Sequence, residues 1–511
     1  MIEQTNNRTI AKNTLFLYFR MMFTMLVTLY TSRVILKTLG IDDYGIYQVV
    51  GGIVGFLSFI HGALSTGSSR FLTFELGTGD KEKLIRTFST TMTIHIVLAL
   101  VIVILAETLG LWFLYHKLVI DPLRLDSAVF VFHLSVLTAI LTITQVPYDA
   151  SIIAHEKMSI YAYMSIVEVS IKLLIVYFLG IGSFDKLKLY AILLCAVQIG
   201  LMLSYRFYCV RNFKETNYKF VFDRSIFKSI ASFSGWSLFA NASFALNSQG
   251  ILVLLNMFFS PAIVAARAIS IQVNMAINQF VSNFRTAVNP QIVKQYAAGN
   301  HEGSKKLLLS STKYSYYVML ILSLPICLLA KPLLTLWLVS VPEYTVLFLQ
   351  IIVVQSLFQV FDSSFYTALY AKGQLKENAL ISPTIGFLIF PIVYFMFKAG
   401  YSPIVLSWIS LIAYGILGLI IKPILAIKIA NYKLTDIVKV YVSCFLVTLA
   451  SIPLPIIFNH YVDKNTISGF ILIGMVSVLS VSVSVYFVGI DRAMKNKILY
   501  QITEKFKNTR F

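Results

Sequence analysis

Arg20, Lys172 and Arg267 each stand inside an apolar stretch, where a fixed positive charge is costly unless it faces water or a partner. Polar side chains accompany them at helical spacing. Asn274, Asn278 and Arg285 follow Arg267 at steps of seven, four and seven, with Gln272, Gln279 and Asn283 beside them. Arg20 aligns with Asn13, Thr24 and Thr31. A third stripe holds Ser234, Ser237, Asn241 and Ser248, and a fourth Gln355, Gln359, Asp362 and Tyr366. Such stripes act either as hydrogen-bond glue between helices, worth ~1 kcal/mol or less per pair, or as the wall of a wet cavity. Serines fit glue. Arginine is poor glue, so the stripes bearing Arg20 and Arg267 point to a cationic lumen. Such a lumen would take an anion. Arg20, Lys172, Arg267, Asn274 and Asn278 are therefore the expected substrate-binding residues.

Two acids lie at similar depth. Glu168 precedes Lys172 by four residues, the favourable order for a helical pair. It either neutralises the lysine for insertion or belongs to a lumenal pair that opens when an anion takes Lys172. Asp362 is either the partner of an arginine or a site for a coupling ion. Glu168 and Asp362 are thus the ion-coupling candidates, for H⁺ or Na⁺. Asp149 and Glu75 lie closer to the membrane boundary and read as structural; His61, His95 and His133 read as packing residues. Cys195, Cys209, Cys327 and Cys444 are scattered without metal-ligand spacing. No phosphate-binding glycine loop, metal motif or nucleophile arrangement occurs. The expectation is a transporter without metal or organic cofactor, not an enzyme and not an ATP-driven pump.

The elements that must carry these residues are membrane spans. Apolar residues make up 58% of the 511 positions and charged ones 13%, about half the charge a soluble surface carries. Apolar runs recur near 12–34, 46–67, 88–114, 128–153, 158–180, 187–210, 227–255, 262–288, 307–330, 345–370, 377–397, 403–428, 436–459 and 467–489. Many approach the ~20 residues a helix needs to cross the hydrocarbon. The expected fold is an all-α integral membrane protein of about fourteen helices. The net charge of +19 is topogenic and carries no sign of nucleic-acid binding. The connection between the sixth and seventh helices carries Arg206, Arg211, Lys214, Lys219, Arg224 and Lys228, and the next connection none. That sorting places both termini in the cytoplasm, with a secondary attraction to membrane lipids.

The chain also repeats itself at an offset of about 217–220 residues. Gly79-Asp80-Lys81-Glu82 corresponds to Gly299-Asn300-His301-Glu302, and Ala154-His155-Glu156-Lys157 to Ala371-Lys372-Gly373-Gln374. An offset of six helices keeps both copies in one orientation and predicts two parallel six-helix lobes. The lobes are 1–211 and 212–430, with helices thirteen and fourteen over 431–490. A basic amphipathic tail over 491–511 is expected to lie on the inner membrane surface.

The run Arg33-Val-Ile-Leu-Lys-Thr-Leu-Gly-Ile-Asp-Asp-Tyr-Gly-Ile-Tyr47, read as an outer turn whose glycines permit a tight reversal, follows the polar first helix. With Glu168, Lys172 and the two-lobe plan, it resembles the Wzx-type polysaccharide flippases of the multidrug/oligosaccharidyl-lipid/polysaccharide (MOP) exporter superfamily, which includes the MATE transporters. The resemblance covers nearly the whole chain. It implies movement of an isoprenoid-pyrophosphate-linked oligosaccharide across a bacterial inner membrane for O-antigen (lipopolysaccharide), capsule or exopolysaccharide assembly. It also implies a cationic cavity between six-helix bundles, a lipid-tail groove at helices thirteen and fourteen, and a polysaccharide polymerase and ligase as partners. A multidrug or cation antiporter of the same superfamily is the first alternative. Similar drug exporters often carry an acid in the first helix, where this chain has Arg20. A non-transporting scaffold is the second, and it leaves the mid-membrane charges without a role.

Overall fold

The computed structural model describes residues 22–490 and 495, apart from 58–67, 69–70, 77, 156, 180–183, 222, 339, 373 and 375. Arg20 and the expected amphipathic tail, Lys495 excepted, lie outside the described residues. The chain is built from helices, with no strand among the described residues. In chain order the longer ones are α1 (22–39), α2 (Ile41–Leu57), α3 (Lys81–Lys117), α4 (Leu125–Ala154), α5 (Met158–Phe178) and α6 (Lys186–Asn212). Next come α7 (Arg224–Ala245, continued by a π-turn into Ile251–Phe258), α8 (Pro261–Ala297), α9 (His301–Leu328), α10 (Thr345–Lys372) and α11 (Lys376–Lys398). The last are α12 (Val405–Ala430), α13 (Leu434–Tyr461) and α14 (Ile467–Gly489). Among the described residues nine helices are long and apolar enough to cross a membrane: α3, α4, α6 and α9 to α14. Only 22% of the most apolar window of α3 is buried within the protein. So large an exposed apolar surface fits hydrocarbon and not water.

Helix starts follow from the sequence. Asp80, Asp185, Asp223, Asn300 and Thr466 each accept a backbone N–H of the helix they precede, satisfying donors left open in the first turn. The repeat reappears in this local geometry. Gly79 and Gly299 both take positive φ, +76° and +79°, and the next residue caps in both cases, Asp80 on Lys83 N at 3.0 Å and Asn300 on Gly303 N at 2.9 Å. At the second repeated segment, Lys157 N bonds Ile152 O at 3.0 Å and Gln374 N bonds Leu369 O at 3.2 Å.

Packing divides the chain into two compact units. Unit 1 is Met1–Ala268 with Leu338–Glu343 and Pro383–Pro403; unit 2 is Ile269–Trp337, Tyr344–Ser382 and Ile404–Phe511. Packing thus puts α7 and most of α11 with the first six helices, whereas the sequence repeat places the lobe boundary at residue 211. Within unit 1, α4 packs on α2, α3, α5 and α6, and α2 also packs on α7. Gly40, at φ +83°, makes the reversal between α1 and α2. Gly45 has another role: it is helical, and a Cβ there would meet Pro261 O at 2.0 Å. Gly52 and Gly55 likewise lie against Gln249 of α7. Near the start of α2, Arg124 bridges Asp43 and Asp185 (3.0 Å to the latter), and Ser127 donates to Asp185 at 2.6 Å. Burial pushes Asp185 up, but Ser127, Arg124 and the N–H of Lys188 outweigh it and hold the carboxyl below its ordinary value.

Gly45→Ala is expected to cost about 1–3 kcal/mol, the range for overpacking a tight contact, because backbone atoms of Pro261 must move. Gly51→Ala, with nothing within 4 Å of its Cβ, is the matched control. Thermal unfolding in detergent reads the difference; equal midpoints for the two variants would contradict the close approach.

Within unit 2, α10 packs on α9 and α12, and α9 on α13 and α14. Phe361 of α10 is fully buried, stacked on Tyr316 at 5.2 Å and edge-on to Tyr441 at 4.6 Å. This aromatic seam fixes α9, α10 and α13 against one another, and so fixes the face that α10 turns to α8.

Candidate functional site

The stripes on α8 and α10 meet side by side in unit 2. Ser356 Oγ donates to Asn274 Oδ1 at 2.7 Å, and Asn278 Nδ2 donates to Ser356 Oγ at 3.1 Å. Two turns further on, Arg285 donates to the hydroxyl and carbonyl of Ser363 and to Thr367 Oγ1 at 3.0 Å. These bonds hold the guanidinium against the wall of a cavity of about 1030 Å³. Asn278, Gln359, Asp362, Tyr366 and Tyr370 also line it.

Asp362 is paired, but its partner is a lysine outside the polar stripes. Lys422 of α12 is 2% exposed, lies 3.0 Å from Asp362 Oδ1, donates to Asn378 Oδ1, and sits 5.6 Å from the Tyr366 ring centre. A π-turn at Leu417–Ile421 immediately precedes it. The extra residue of a π-turn rotates the next stretch of helix by about one residue's angle, which changes the face on which Lys422 stands. Gly418 in that turn approaches Phe358 so closely that a Cβ would lie 2.5 Å from its carbonyl oxygen. Tyr441 donates to Gly418 O at 2.7 Å. Arg285 and Lys422 therefore stand against one acid around this cavity.

A smaller cavity, about 410 Å³, lies in unit 1 and is lined by Tyr47, Thr138, Thr142, Lys172, Tyr190 and Gln198 among others. Lys172 Nζ donates to Glu168 Oε1 at 2.5 Å, with both side chains more than one-third exposed. Gln198 continues into a polar chain, donating to Gln145 Oε1 at 3.0 Å, while Gln145 donates to Asp149 at 3.2 Å.

Of the expected site residues, Asn278 and Asp362 line the unit 2 cavity, with Asn274 buried behind it, and Lys172 lines the unit 1 cavity beside Glu168. Arg267 is 5% exposed and lines neither cavity. Arg285 was legible as the fourth member of the α8 stripe but stood outside the expected set. Lys422 and Asn378 were missed. The available signal was a lysine within the apolar run 403–428, which reads equally as an inner-flank charge.

No protein-family model and no curated protein sequence matches the chain significantly. Solved structures do. The lipid II flippase MurJ, in an inward closed conformation, aligns with TM-score 0.71 at 12% identity, covering 92% of this chain and 97% of that one. An inward-facing multidrug resistance MATE family transporter of the MOP superfamily aligns with TM-score 0.65 at 14% identity, covering 78% and 95%. A MOP superfamily transporter from Pyrococcus furiosus, described by the reverse polarity of its binding pocket, gives 0.52 at 12%, covering 81% and 95%. At such identities the likeness speaks for the fold, and it does so over most of each chain: this protein has the all-helical membrane fold of the MOP superfamily transporters.

Proposed function

We propose that the chain is a flippase carrying an isoprenoid-pyrophosphate-linked oligosaccharide from the inner to the outer leaflet of a bacterial plasma membrane. It would supply O-antigen, capsule or exopolysaccharide assembly, with polymerase and ligase downstream and both termini in the cytoplasm. The observation that supports this most is the unit 2 cavity. Its volume reaches the upper end of small-ligand sites. Its wall offers Arg285 for phosphate and Asn278, Gln359 and tyrosines for sugar hydroxyls, and its acid is already matched by Lys422. A site built for organic cations would leave a carboxylate without such a partner.

By alternating access, Arg285 would hold phosphate in the unit 2 cavity and Lys172 in the unit 1 cavity, each on its own, with Arg20 a further cation named from the sequence, while amides bond the glycan. Arg267, 5% exposed and in the lining of neither cavity, would act as a positioning residue on α8. Carrying two net negative charges outward gains ~4–5 kcal/mol per 100 mV, inside negative. Glu168 and Asp362 are the acids at which H⁺ or Na⁺ would couple, and Asp362 would have to exchange Lys422 for the ion.

Arg285→Ala should lower glycan export about a hundredfold, the equivalent of one or two hydrogen bonds to a charged group. Arg285→Lys keeps the charge but not the fork and should retain part of the activity. Surface glycan in a host lacking its own flippase is the measurement. Full export from a well-expressed Ala variant would remove Arg285 from the site.

A further inference from the structure

A second polar cleft in unit 2, about 620 Å³, shares no lining residue with the transport cavity. It opens between the starts of α9 and α13, at the end that charge sorting assigns to the cytoplasm. Lys305, Lys306, Lys313, Lys433 and Lys439 line it, against Glu302 and Asp436. Both acids are already engaged: Glu302 with Lys305 at 3.1 Å, and Asp436 with Lys439 at 3.8 Å. Three positive charges remain in excess.

Topogenic lysines need only lie on the correct side of the membrane. These converge on one cleft, and local structure places them there. Asn431 ends α12 in the left-handed conformation, φ +56°, and the reversal buries Tyr432 and sets Lys433 at the cleft. Lys305 Nζ lies 5.9 Å from the Tyr432 ring centre. Lys313 lies about 18 Å along α9 from His301 at 1.5 Å per residue, below the interfacial lysines. There Ser443 also lines the cleft, its Oγ 2.9 Å from Tyr317 Oη. Lysines at two depths with a hydroxyl at the base suit a headgroup bearing more than one phosphate oxygen cluster. Below Lys439, the same stripe of α13 continues as Val442, Leu446 and Leu449, all exposed. Cations above an apolar stripe favour a phosphate attached to lipid over a soluble one.

We propose that this cleft binds the phosphate headgroup of an anionic lipid in the cytoplasmic leaflet, with the acyl chains lying along Val442, Leu446 and Leu449. The site stands whatever the transport cavity carries.

The test is native mass spectrometry of the full chain in detergent, titrated with cardiolipin and, separately, with phosphatidylcholine. The wild type should hold one cardiolipin at concentrations where phosphatidylcholine does not bind. The triple variant Lys306→Gln, Lys433→Gln, Lys439→Gln should bind it about a hundredfold more weakly, from the usual contribution of each basic side chain near an anionic surface. Lys439→Arg should bind as the wild type does, and so should Lys117→Gln with Lys186→Gln at the opposite end. Millimolar sodium pyrophosphate should leave the lipid bound. The proposal is overturned if the triple variant binds cardiolipin undiminished, or if the wild type prefers neither lipid. It is equally overturned if pyrophosphate displaces cardiolipin, which would assign the cleft to a soluble phosphate compound.

Discussion

Asp362→Asn is expected to lower stability by about 3 kcal/mol, because it strands Lys422 in a site where that side chain is almost fully enclosed. Removing one partner of a buried pair leaves an uncompensated charge, whereas replacing both often costs little. The double variant Asp362→Asn, Lys422→Met should therefore recover most of the loss, with thermal unfolding in detergent as the readout. An unchanged midpoint in the single variant would show that Asp362 contributes nothing net to Lys422. The pair also separates structure from coupling. If Asp362 exchanges Lys422 for a coupling ion, the well-folded double variant should lose the dependence of transport on the ion gradient. If the pair only ties α10 to α12, that dependence should survive.

Lys172→Ala is expected to abolish export, and adding Glu168→Ala should not restore it. The two side chains form one helical pair at 2.5 Å, with Lys172 on the wall of the unit 1 cavity, so the single variant leaves Glu168 without its partner. The double variant removes that complication. If the pair serves only to carry α5 into the membrane, its loss should be harmless or stabilising. If Lys172 holds phosphate, the double variant should reach the membrane in normal amounts and export no glycan. Wild-type export from it would make the pair structural.

Much of this was readable in the sequence, for identifiable reasons. Long apolar runs leave a backbone in lipid little choice but helix, so α3, α4, α6 and α9 to α14 followed from composition. The repeat was legible because Gly79 and Gly299 must adopt positive φ, which constrains residue type as well as pattern. The α8 stripe was legible because a regular helix keeps seven- and four-residue steps on one face. Lys422 was not, because a π-turn breaks that regularity one turn before it, and because a lysine near a span's end has an ordinary topogenic explanation. Gly45 was read as a turn residue, since sequence records that a Cβ is absent and not what would occupy its space; Pro261 does. Asp362 was read as either the partner of an arginine or a site for a coupling ion; the residue paired with it is a lysine 60 residues away on α12, beyond any local pattern.

Whether the carried species is an anionic, lipid-linked glycan can be decided with purified protein in vesicles. Vesicles would carry a fluorescent polyprenyl-pyrophosphate oligosaccharide in both leaflets, with a membrane-impermeant reagent outside reporting the label's accessibility. Wild-type protein should bring nearly all the label within reach over time, faster under an inside-negative potential, and Arg285→Ala should leave the inner-leaflet half protected. Label that stays protected with active wild-type protein, in vesicles that instead move a cationic dye against a proton gradient, would overturn the flippase assignment and favour a multidrug antiporter.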